Sequence, residues 1–453
     1  MPRLEEQFEI GDLTVPNRLY RAPLLECAGN GPEAVDRLIA DLEPAAAAGA
    51  GLLFQGATIV RGEGGCAAPG MTRVHDPEFV ADLARLTDAV HAHGSRIFVQ
   101  LEHGGLRSME TWHAEFRRDN PDLQQLAVSR PPWPLRLLDR LGFVDYDPQV
   151  LSTAEVYDLA ADFGRAAGYA VDAGYDGIHL SGANMGIVQQ FLSPFYNRRD
   201  DEFGDGVRFL ELVHDEIRDR AGDVPLVTKV PDESPAPPLV RRRLSTDDAV
   251  AIAAELDRIG YDALVPVRTS VVWDMSIVRG EFPERAWEHG DADDYAAAFG
   301  GPAKARLVRL LNRLEAIQYD FEPAWNERLC RRVRDRVAGD TAVLCEGGVR
   351  ERGEMDELLG HGGPRAADAV GMARPFYAEP RLPARLLDAT PDRRVVCESC
   401  NNCTVPQATG EPGVCRTPSV LERRGQLATA GAYERPDAAP DRPAADRDAE
   451  RES

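Results

Sequence analysis

The sequence alternates short apolar runs with amphipathic stretches, and this alternation limits the possible folds more than any other feature. The apolar runs have the length of strands, and the stretches between them repeat apolar residues at the helical period. Eight such runs follow one another, at residues 18–23, 51–60, 95–102, 175–181, 225–230, 263–268, 341–346 and 367–373. Strands that alternate with helices predict a parallel sheet, and eight units fit a closed (β/α)₈ barrel, the TIM barrel.

An open, doubly wound α/β sheet is the alternative fold. Such a sheet usually carries a glycine-rich phosphate-binding turn directly after its first strand. Here the first apolar run ends in Ala22, Pro23 and Leu24. A loosely similar glycine-rich stretch at 62–67 follows the second run instead and continues into Pro69. The closed barrel is therefore the preferred interpretation.

Two connections are much longer than the others, and they lie at residues 107–152 and 269–323. Loops of this length inside a compact domain are usually lids or binding loops. They follow strands three and six, so they leave the barrel at the carboxyl ends of strands, where barrel active sites lie. We therefore expect the site at that end of the barrel.

Four of the eight cysteines are clustered near the C-terminus. Cys397, Cys400, Cys403 and Cys415 have the spacing C-x₂-C-x₂-C-x₁₁-C. Three closely spaced thiolates and a fourth from a later turn can surround a [4Fe–4S] cluster, which is our prediction for these residues. A tetrahedral zinc site and a cysteine cluster without metal are the alternatives.

These features divide the chain into three predicted parts. Residues 1–390 form the barrel, residues 391–424 form a cysteine-rich extension, and residues 425–453 form a disordered acidic tail. The tail is rich in Ala, Pro, Asp and Arg, and it has almost no large apolar residue that could build a core.

The charge of the chain excludes some partners. With 75 acidic and 52 basic residues, the net charge of −23 repels nucleic acid and anionic membrane surfaces. No apolar run is long enough to span a membrane, and the N-terminus lacks a signal-peptide pattern, so a cytoplasmic protein is expected. The acidic excess also suits a salt-rich, halophilic cytoplasm. Lysine is rare, since Lys229 and Lys304 are the two lysines of the sequence. Biased codon usage is the alternative explanation for this rarity.

Several motifs, taken in order, resemble those of Old Yellow Enzyme-type NADH:flavin oxidoreductases. They are NRLYRAP at 17–23, QLEHGG at 100–105, QFLSP at 190–194, NRR at 197–199, DEFG at 201–204 and GMARPF at 371–376. SGAN at 181–184, FYNRR at 195–199 and the C-terminal cysteines further resemble the trimethylamine dehydrogenase and 2,4-dienoyl-CoA reductase branch. The resemblance implies a TIM barrel that binds FMN, with NAD(P)H as the reductant and a small-molecule substrate.

The resemblance also implies which residues contact FMN, and their chemistry suits that role. Glycines at a helix N-terminus allow a phosphate to approach, and an arginine can bind it through two N–H groups. A fixed cation near the flavin ring favours reduction, because reduction adds negative charge there. The residues implied are Pro23, Leu24, Gly56, Ala57, Gln100, Lys229, Gly347, Gly348, Ala373 and Arg374.

The motifs depart from the family at the positions above the flavin. Where the family usually has a pair of donors, His-x-x-His or His-x-x-Asn, this sequence has Ser181 and Asn184, and Gly186 replaces a tyrosine that donates a proton in many ene-reductases. We assign Ser181, Asn184 and Lys229 as the catalytic residues. His179 is expected in the core, whereas His103 is equally compatible with the core and the pocket.

These observations predict an FMN-dependent enzyme that transfers hydride between NAD(P)H or an organic substrate and FMN. One alternative is an amine-type dehydrogenase that passes electrons through a [4Fe–4S] cluster to an external carrier. Another is a flavin-binding electron-transfer protein without substrate chemistry. The sequence leaves the substrate, the choice of nicotinamide and the oligomeric state open.

Overall fold

The computed structural model describes residues 1–274, 278–387 and 393–434, and its central feature is a closed barrel of eight parallel strands. In chain order the strands are β1 (Leu19–Arg21), β2 (Leu52–Ile59), β3 (Arg96–Glu102), β4 (Gly177–Leu180), β5 (Leu226–Asp232), β6 (Ala263–Arg268), β7 (Ala342–Glu346) and β8 (Ala369–Met372). Each strand pairs with the next, and β1 pairs with both β2 and β8. The predicted (β/α)₈ fold is confirmed; seven of these strands lie within a predicted apolar run, and β5 extends two residues beyond its run of 225–230.

Helices surround the barrel in the order that the sequence predicts. They are α1 (Ala34–Ala47), α2 (Ala84–His91), α3 (Thr153–Asp172), α4 (Gly206–Ala221), α5 (Thr246–Ile259), α6 (Glu327–Arg334), α7 (Arg352–Leu358) and α8 (Leu382–Leu387). Ser152 and Ser245 cap α3 and α5 through reciprocal capping boxes, which satisfy N–H groups that a helix start leaves unpaired. The stretch before β3 forms a short helix, Pro77–Asp82, in addition to α2.

The core has two apolar layers. One fills the barrel and includes Tyr20, Phe54 and Phe98, whose rings meet edge to face. A hairpin of Phe8–Ile10 and Leu13–Val15 packs against this layer and closes the amino end of the barrel. The second layer lies between the strands and the outer helices. Because the lower barrel is filled with side chains, a cavity can open only at the carboxyl ends of the strands.

The two long connections contain regular structure. The first holds a 3₁₀ turn at Gly105–Arg107, helices at Met109–Trp112, Ala114–Asp119 and Trp133–Arg140, and a strand pair of Leu126–Ala127 with Gln149–Val150. The second holds helices at Glu284–His289, Ala292–Phe299 and Pro302–Gln318. Shorter elements lie at Thr72–Arg73, Ile187–Leu192 and Glu202–Gly204. Local capping and apolar contacts therefore order segments that their length alone predicts to be loops.

The chain after β8 folds back over the barrel. It contains short helices at Arg374–Ala378 and Val405–Thr409 and a longer one at Pro418–Thr429. This last helix corrects the predicted disordered tail: Leu427 and Tyr433 are buried, so residues 425–434 are structured. The rest of the predicted tail, and the predicted boundary at residues 390–391, lie outside the described residues. Within the described residues, no helix has the length and apolar character needed to cross a membrane.

Candidate active site

A cavity of about 200 Å³ opens at the carboxyl ends of the barrel strands. The structure brings nearly all of the sequence-predicted site residues to its wall. Those that line it are Pro23, Leu24, Ala57, Gln100, Ser181, Asn184, Lys229, Gly347, Gly348, Ala373 and Arg374. Their convergence on one cavity is a property of the fold.

Among the residues predicted to contact FMN, Gly56 is the one that does not line the cavity. A Cβ atom at this position would lie 1.3 Å from the carbonyl oxygen of Leu24. Its N–H donates to Glu26 Oε2 at 3.1 Å, and Glu26 is paired with buried Arg21. Because residue 56 is glycine, β2 can lie close to the segment after β1. Gly56 therefore packs against residues of the cavity wall and does not line the cavity itself.

Gln100 is held in place by the protein on both sides of its amide. Its Oε1 accepts the N–H of Ala57 at 3.1 Å, and its Nε2 donates to His179 Nδ1 at 3.0 Å. Burial lowers the pKa of His179 well below its usual value, which keeps the ring neutral and able to accept. His179 lies in the core against Phe54, as expected from the sequence.

His103 also lies outside the cavity. Its Nε2 is 3.0 Å from the carbonyl oxygen of Glu63, and its Nδ1 accepts the N–H of Gly105 at 3.2 Å. Burial lowers the pKa of His103 to about 3. The ring is neutral, and both of its nitrogens have hydrogen-bond partners. It therefore holds the first residues of the connection after β3 in place.

Lys229 forms an ion pair with Glu346, which the sequence did not indicate. Lys229 lies in the middle of β5 and Glu346 ends β7; both line the cavity, and their side chains are 10% and 12% exposed. The pair joins Lys229 Nζ to Glu346 Oε1, whereas Glu346 Oε2 is buried and has no hydrogen-bond partner. The cation predicted for the flavin site is thus balanced by a buried carboxylate. The two residues are 117 positions apart in the chain, so no local sequence pattern indicates that they pair.

A candidate anion site lies where β7 leads into α7. Gly347 and Gly348 have φ angles of 107° and 75°, which favour glycine. A Cβ at Gly348 would lie 2.3 Å from the Glu322 carbonyl oxygen, so the turn also has no space for a side chain. Such a turn keeps the backbone open to a ligand.

Two arginines flank this turn, and one of them was not predicted. Arg350 places its guanidinium 3.6 Å from the centre of the Phe321 ring, and its Nη2 is buried without a hydrogen-bond partner. Arg374 donates from Nη2 to the Arg279 carbonyl at 2.9 Å and from Nη1 to Asn401. The Nη2 group of Arg350 is thus a buried donor without a partner, and it lies beside a glycine turn. A phosphate group accepts hydrogen bonds from such a set of donors. The position of Arg350, two residues after the glycine pair, was the available sequence signal.

Ser181 and Asn184 lie on the loop after β4. Asn184 has a φ angle of 55°; its carbonyl oxygen accepts a hydrogen bond from Arg107 at 2.9 Å, and its Oδ1 lies 3.4 Å from Thr269 Oγ1. Glu102 also lines the cavity, although the sequence analysis did not assign it to the site. Because alternate residues of a strand face the same side, its spacing of two from Gln100 was the missed signal.

The C-terminal extension forms part of the cavity wall. Ser399, Thr404 and Gln407 line the cavity. The side chain of Gln407 donates to the carbonyl oxygen of Leu25 at 2.6 Å, and the hydroxyl of Tyr377 donates to the same oxygen at 2.7 Å. The extension is thereby fixed to the segment after β1, and its residues 399–407 take part in the site.

The four clustered cysteines line a second, smaller cavity. Arg374, Tyr377 and Ser399 line both cavities, so the two are neighbours. A tetrahedral zinc ion would hold each sulfur about 2.3 Å from one point. Among the described residues, no three His, Cys, Asp or Glu side chains form a group that could hold a metal ion.

Comparison with known proteins is consistent with this site. The model of the NADH:flavin oxidoreductase / NADH oxidase family matches residues 4–289. A metal reductase from Desulforamulus reducens is 26% identical over 400 residues, which cover 87% of this chain and 50% of the relative. A 4,4′-dithiodibutanoate disulfide reductase from Rhodococcus erythropolis is 27% identical over 440 residues, covering 94% and 98%.

Solved structures share the fold. Histamine dehydrogenase from Rhizobium sp. 4-9 superposes with a TM-score of 0.69 at 21% identity, over 93% of this chain and 53% of that one. At this identity the likeness supports the barrel and not a shared substrate. The chain spans about half the length of the first curated relatives that it matches, 50% of one and 57% of another.

Proposed function

The chain belongs to the NADH:flavin oxidoreductase / NADH oxidase family, and on this premise we propose that it is an FMN-dependent oxidoreductase that passes hydride from NAD(P)H to a small organic acceptor. The observation that carries the proposal is the cavity at the carboxyl ends of the strands. It joins a candidate phosphate site at one side to a buried cation at another.

The residues present fit FMN. Arg350 has a buried Nη2 without a partner, and Gly347 and Gly348 form a turn that a Cβ would obstruct. These residues, with Arg374, would hold the phosphate, and Gln100 and Ala57 would contact the ring. Bound FMN would supply the hydride chemistry, while the protein supplies position and electrostatics.

Lys229 would place a positive charge at the polar edge of the ring. Glu346 holds the ammonium group in place and offsets part of its charge. A cation that is already fixed before electrons arrive needs no reorganisation when negative charge develops, which is the basis of electrostatic stabilisation. The pair would therefore set how readily the site accepts hydride.

Stopped-flow spectroscopy tests the proposal. Anaerobic protein loaded with FMN is mixed with NADH, with NADPH or with trimethylamine. Bleaching of the flavin band by a nicotinamide supports the reductase. Bleaching by the amine alone supports the dehydrogenase alternative, and bleaching by none of them supports an electron-transfer protein without substrate chemistry.

The second cavity favours one addition to this function. We propose that Cys397, Cys400, Cys403 and Cys415 bind a [4Fe–4S] cluster that exchanges electrons with an external carrier. The support is that the four cysteines line a cavity that shares wall residues with the first one. Iron and sulfide are measured after anaerobic purification of the wild type, Cys403→Ser and a control, Cys330→Ala, whose residue is buried in the core. Loss of iron in Cys403→Ser alone supports the cluster, whereas iron-free wild type after reconstitution refutes it.

We further propose that the acidic surface adapts the protein to a salt-rich cytoplasm. Carboxylates repel one another at low ionic strength, and salt screens this repulsion. The midpoint of thermal unfolding should therefore rise from dilute buffer to molar KCl. An unchanged or falling midpoint would contradict the proposal.

A further inference from the structure

Glu102 is a buried carboxyl group at the wall of the active-site cavity. It is the last residue of β3, it is 4% exposed, and it lines the cavity together with Gln100. Its Oε1 is buried and has no hydrogen-bond partner. A buried polar atom without a partner is rare in folded proteins, and at a cavity wall it points to a ligand.

The charged groups around Glu102 offset the effect of its burial only in part. Arg107 Nη1 lies 3.9 Å from Oε1 and donates instead to the carbonyl oxygen of Asn184. Lys229 is engaged by Glu346, and Cys66 approaches from the loop after β2. Burial raises the pKa of Glu102, and the opposing effects of Arg107, the Ser181 hydroxyl and Lys229 are smaller. The carboxyl group is therefore retained in its protonated form to higher pH than an exposed glutamate.

Gly186 lies beside Oε1. A Cβ atom built on Gly186 would lie 3.5 Å from this oxygen, in ordinary contact. Because residue 186 is glycine, no side chain covers the oxygen from that direction. Glu102 itself lines the cavity, so a rotation of its side chain that frees Oε1 from its buried position would bring the carboxyl group to a small molecule there.

Other cavity-lining groups with an acidic proton are poor donors. Arginine side chains do not give up a proton in proteins. The hydroxyl of Tyr377 donates to the Leu25 carbonyl, and burial raises the pKa of Tyr377 well above its usual value. Lys229 and Glu346 are paired with each other. Among the described residues that line the cavity, Glu102 is the carboxyl group without a cationic hydrogen-bond partner.

We propose that Glu102 is the proton donor of this site, and that the acceptor is a small molecule with a polarised double bond, such as an α,β-unsaturated carbonyl compound. This inference rests on the proposed function. NAD(P)H is the source of the two electrons and one proton that the β-carbon gains as hydride, and FMN held by Gly347, Gly348 and Arg374 would supply this hydride chemistry. The carbon–carbon π bond breaks, and the Glu102 Oε1 proton forms the new bond at the α-carbon. Glu102 is left as a carboxylate beside Arg107, NAD(P)⁺ is the oxidised product, and a proton from solvent restores the acid.

The experiment compares Glu102→Gln with a matched control, Glu110→Gln. Glu110 is also a buried carboxyl group with an unpartnered oxygen and a raised pKa, but it does not line the cavity. Flavin reduction by NAD(P)H and reoxidation by ferricyanide, which takes electrons without a proton, should be the same in the wild type and both variants. Reoxidation by 2-cyclohexen-1-one should fall about a hundredfold or more in Glu102→Gln, the range of general acid catalysis, and stay unchanged in the control.

Two further measurements separate catalysis from structure. The wild-type rate with 2-cyclohexen-1-one should fall as pH rises through the raised pKa of Glu102, and Glu102→Gln should lose this dependence. Infrared difference spectra of wild type minus Glu102→Gln, recorded over a pH series, should show the carbonyl stretch of a protonated carboxylic acid up to a higher pH than an exposed glutamate does, without any turnover.

Several outcomes would overturn the inference. If NAD(P)H does not bleach the flavin, the proposed function itself fails. If bleaching and ferricyanide reduction are normal, then an equal enone rate in Glu102→Gln, or no enone reduction by the wild type, removes the role of Glu102 alone. Loss of flavin reduction by trimethylamine in Glu102→Gln would assign the carboxylate to cation binding instead.

Discussion

The Lys229–Glu346 pair should affect stability and redox potential in different ways. Lys229→Met leaves the Glu346 carboxylate buried without its cation, and Glu346→Gln leaves the Lys229 ammonium without its anion. Both variants are expected to lower the free energy of unfolding. Their effects on the midpoint potential of bound FMN should be opposite in sign, because one removes a positive charge and the other removes a negative one.

The magnitudes follow from burial of the pair. Side chains that are 10% and 12% exposed form a buried ion pair, and removal of one partner of such a pair costs about 3–5 kcal/mol. For 453 residues, an unfolding entropy of about 2.1 cal/mol/K per residue converts this cost to a midpoint about 3–5 °C lower. A hydrogen bond to a charged group contributes about 1.5–3 kcal/mol, which corresponds to about 30–65 mV for two electrons.

The assay is thermal unfolding together with a redox titration of the FMN-loaded protein against a reference dye. Lys229→Met should shift the potential downward by that amount and Glu346→Gln upward, while both unfold earlier than wild type. The double variant Lys229→Met/Glu346→Gln should regain much of the stability, and its potential should lie between those of the two single variants because the two charge changes offset each other. If Lys229→Met leaves the potential unchanged, or if both single variants shift it in the same direction, Lys229 is a structural ion-pair partner and not a redox cation.

Three further predictions follow from the cavity. Heat-released cofactor should co-elute with FMN on chromatography, and FAD in its place would contradict the phosphate site. Arg350→Met should raise the dissociation constant of FMN about tenfold to a hundredfold through loss of a charged donor, whereas Arg37→Met, at an exposed position of α1, should leave it unchanged in equilibrium titrations. Ser181→His should tighten binding of phenolate ligands by adding a donor beside Asn184; a folded, FMN-loaded variant with unchanged binding would show that residue 181 does not face the ligand.

The sequence predicted the barrel well because its signals are local. Apolar runs, helical periodicity and caps such as Ser245 each extend over a few residues. Parallel strands bring their carboxyl ends to one edge of the sheet. Residues in or just after the strands, such as Gln100, Lys229 and Arg374, are therefore predicted from the sequence to share one cavity. Gly56 is the exception, since its glycine serves backbone packing and not the cavity.

The sequence could not predict contacts that depend on distant parts of the chain. Glu346 faces Lys229 only because β5 and β7 end at the same side of the barrel. Gln407 reaches Leu25 only because the extension folds back over the barrel, across 382 positions. The helix at Pro418–Thr429 was obscured because most of its side chains are exposed, which resembles the composition of a tail.

The seam that closes the barrel also determines when the protein can fold during synthesis. Val370 of β8 pairs with Leu19 of β1, and the Arg18 side chain donates to the carbonyl oxygen of Asp368, 350 positions later. A ribosome that adds about 5–20 residues per second needs roughly 20–70 s to cover that interval. Throughout this time β1 and each newly made strand present unpaired edges to other chains. Slower growth at lower temperature or help from chaperones should therefore raise the soluble yield, and refolding of the complete chain should be slow because its closing contacts are so distant in sequence.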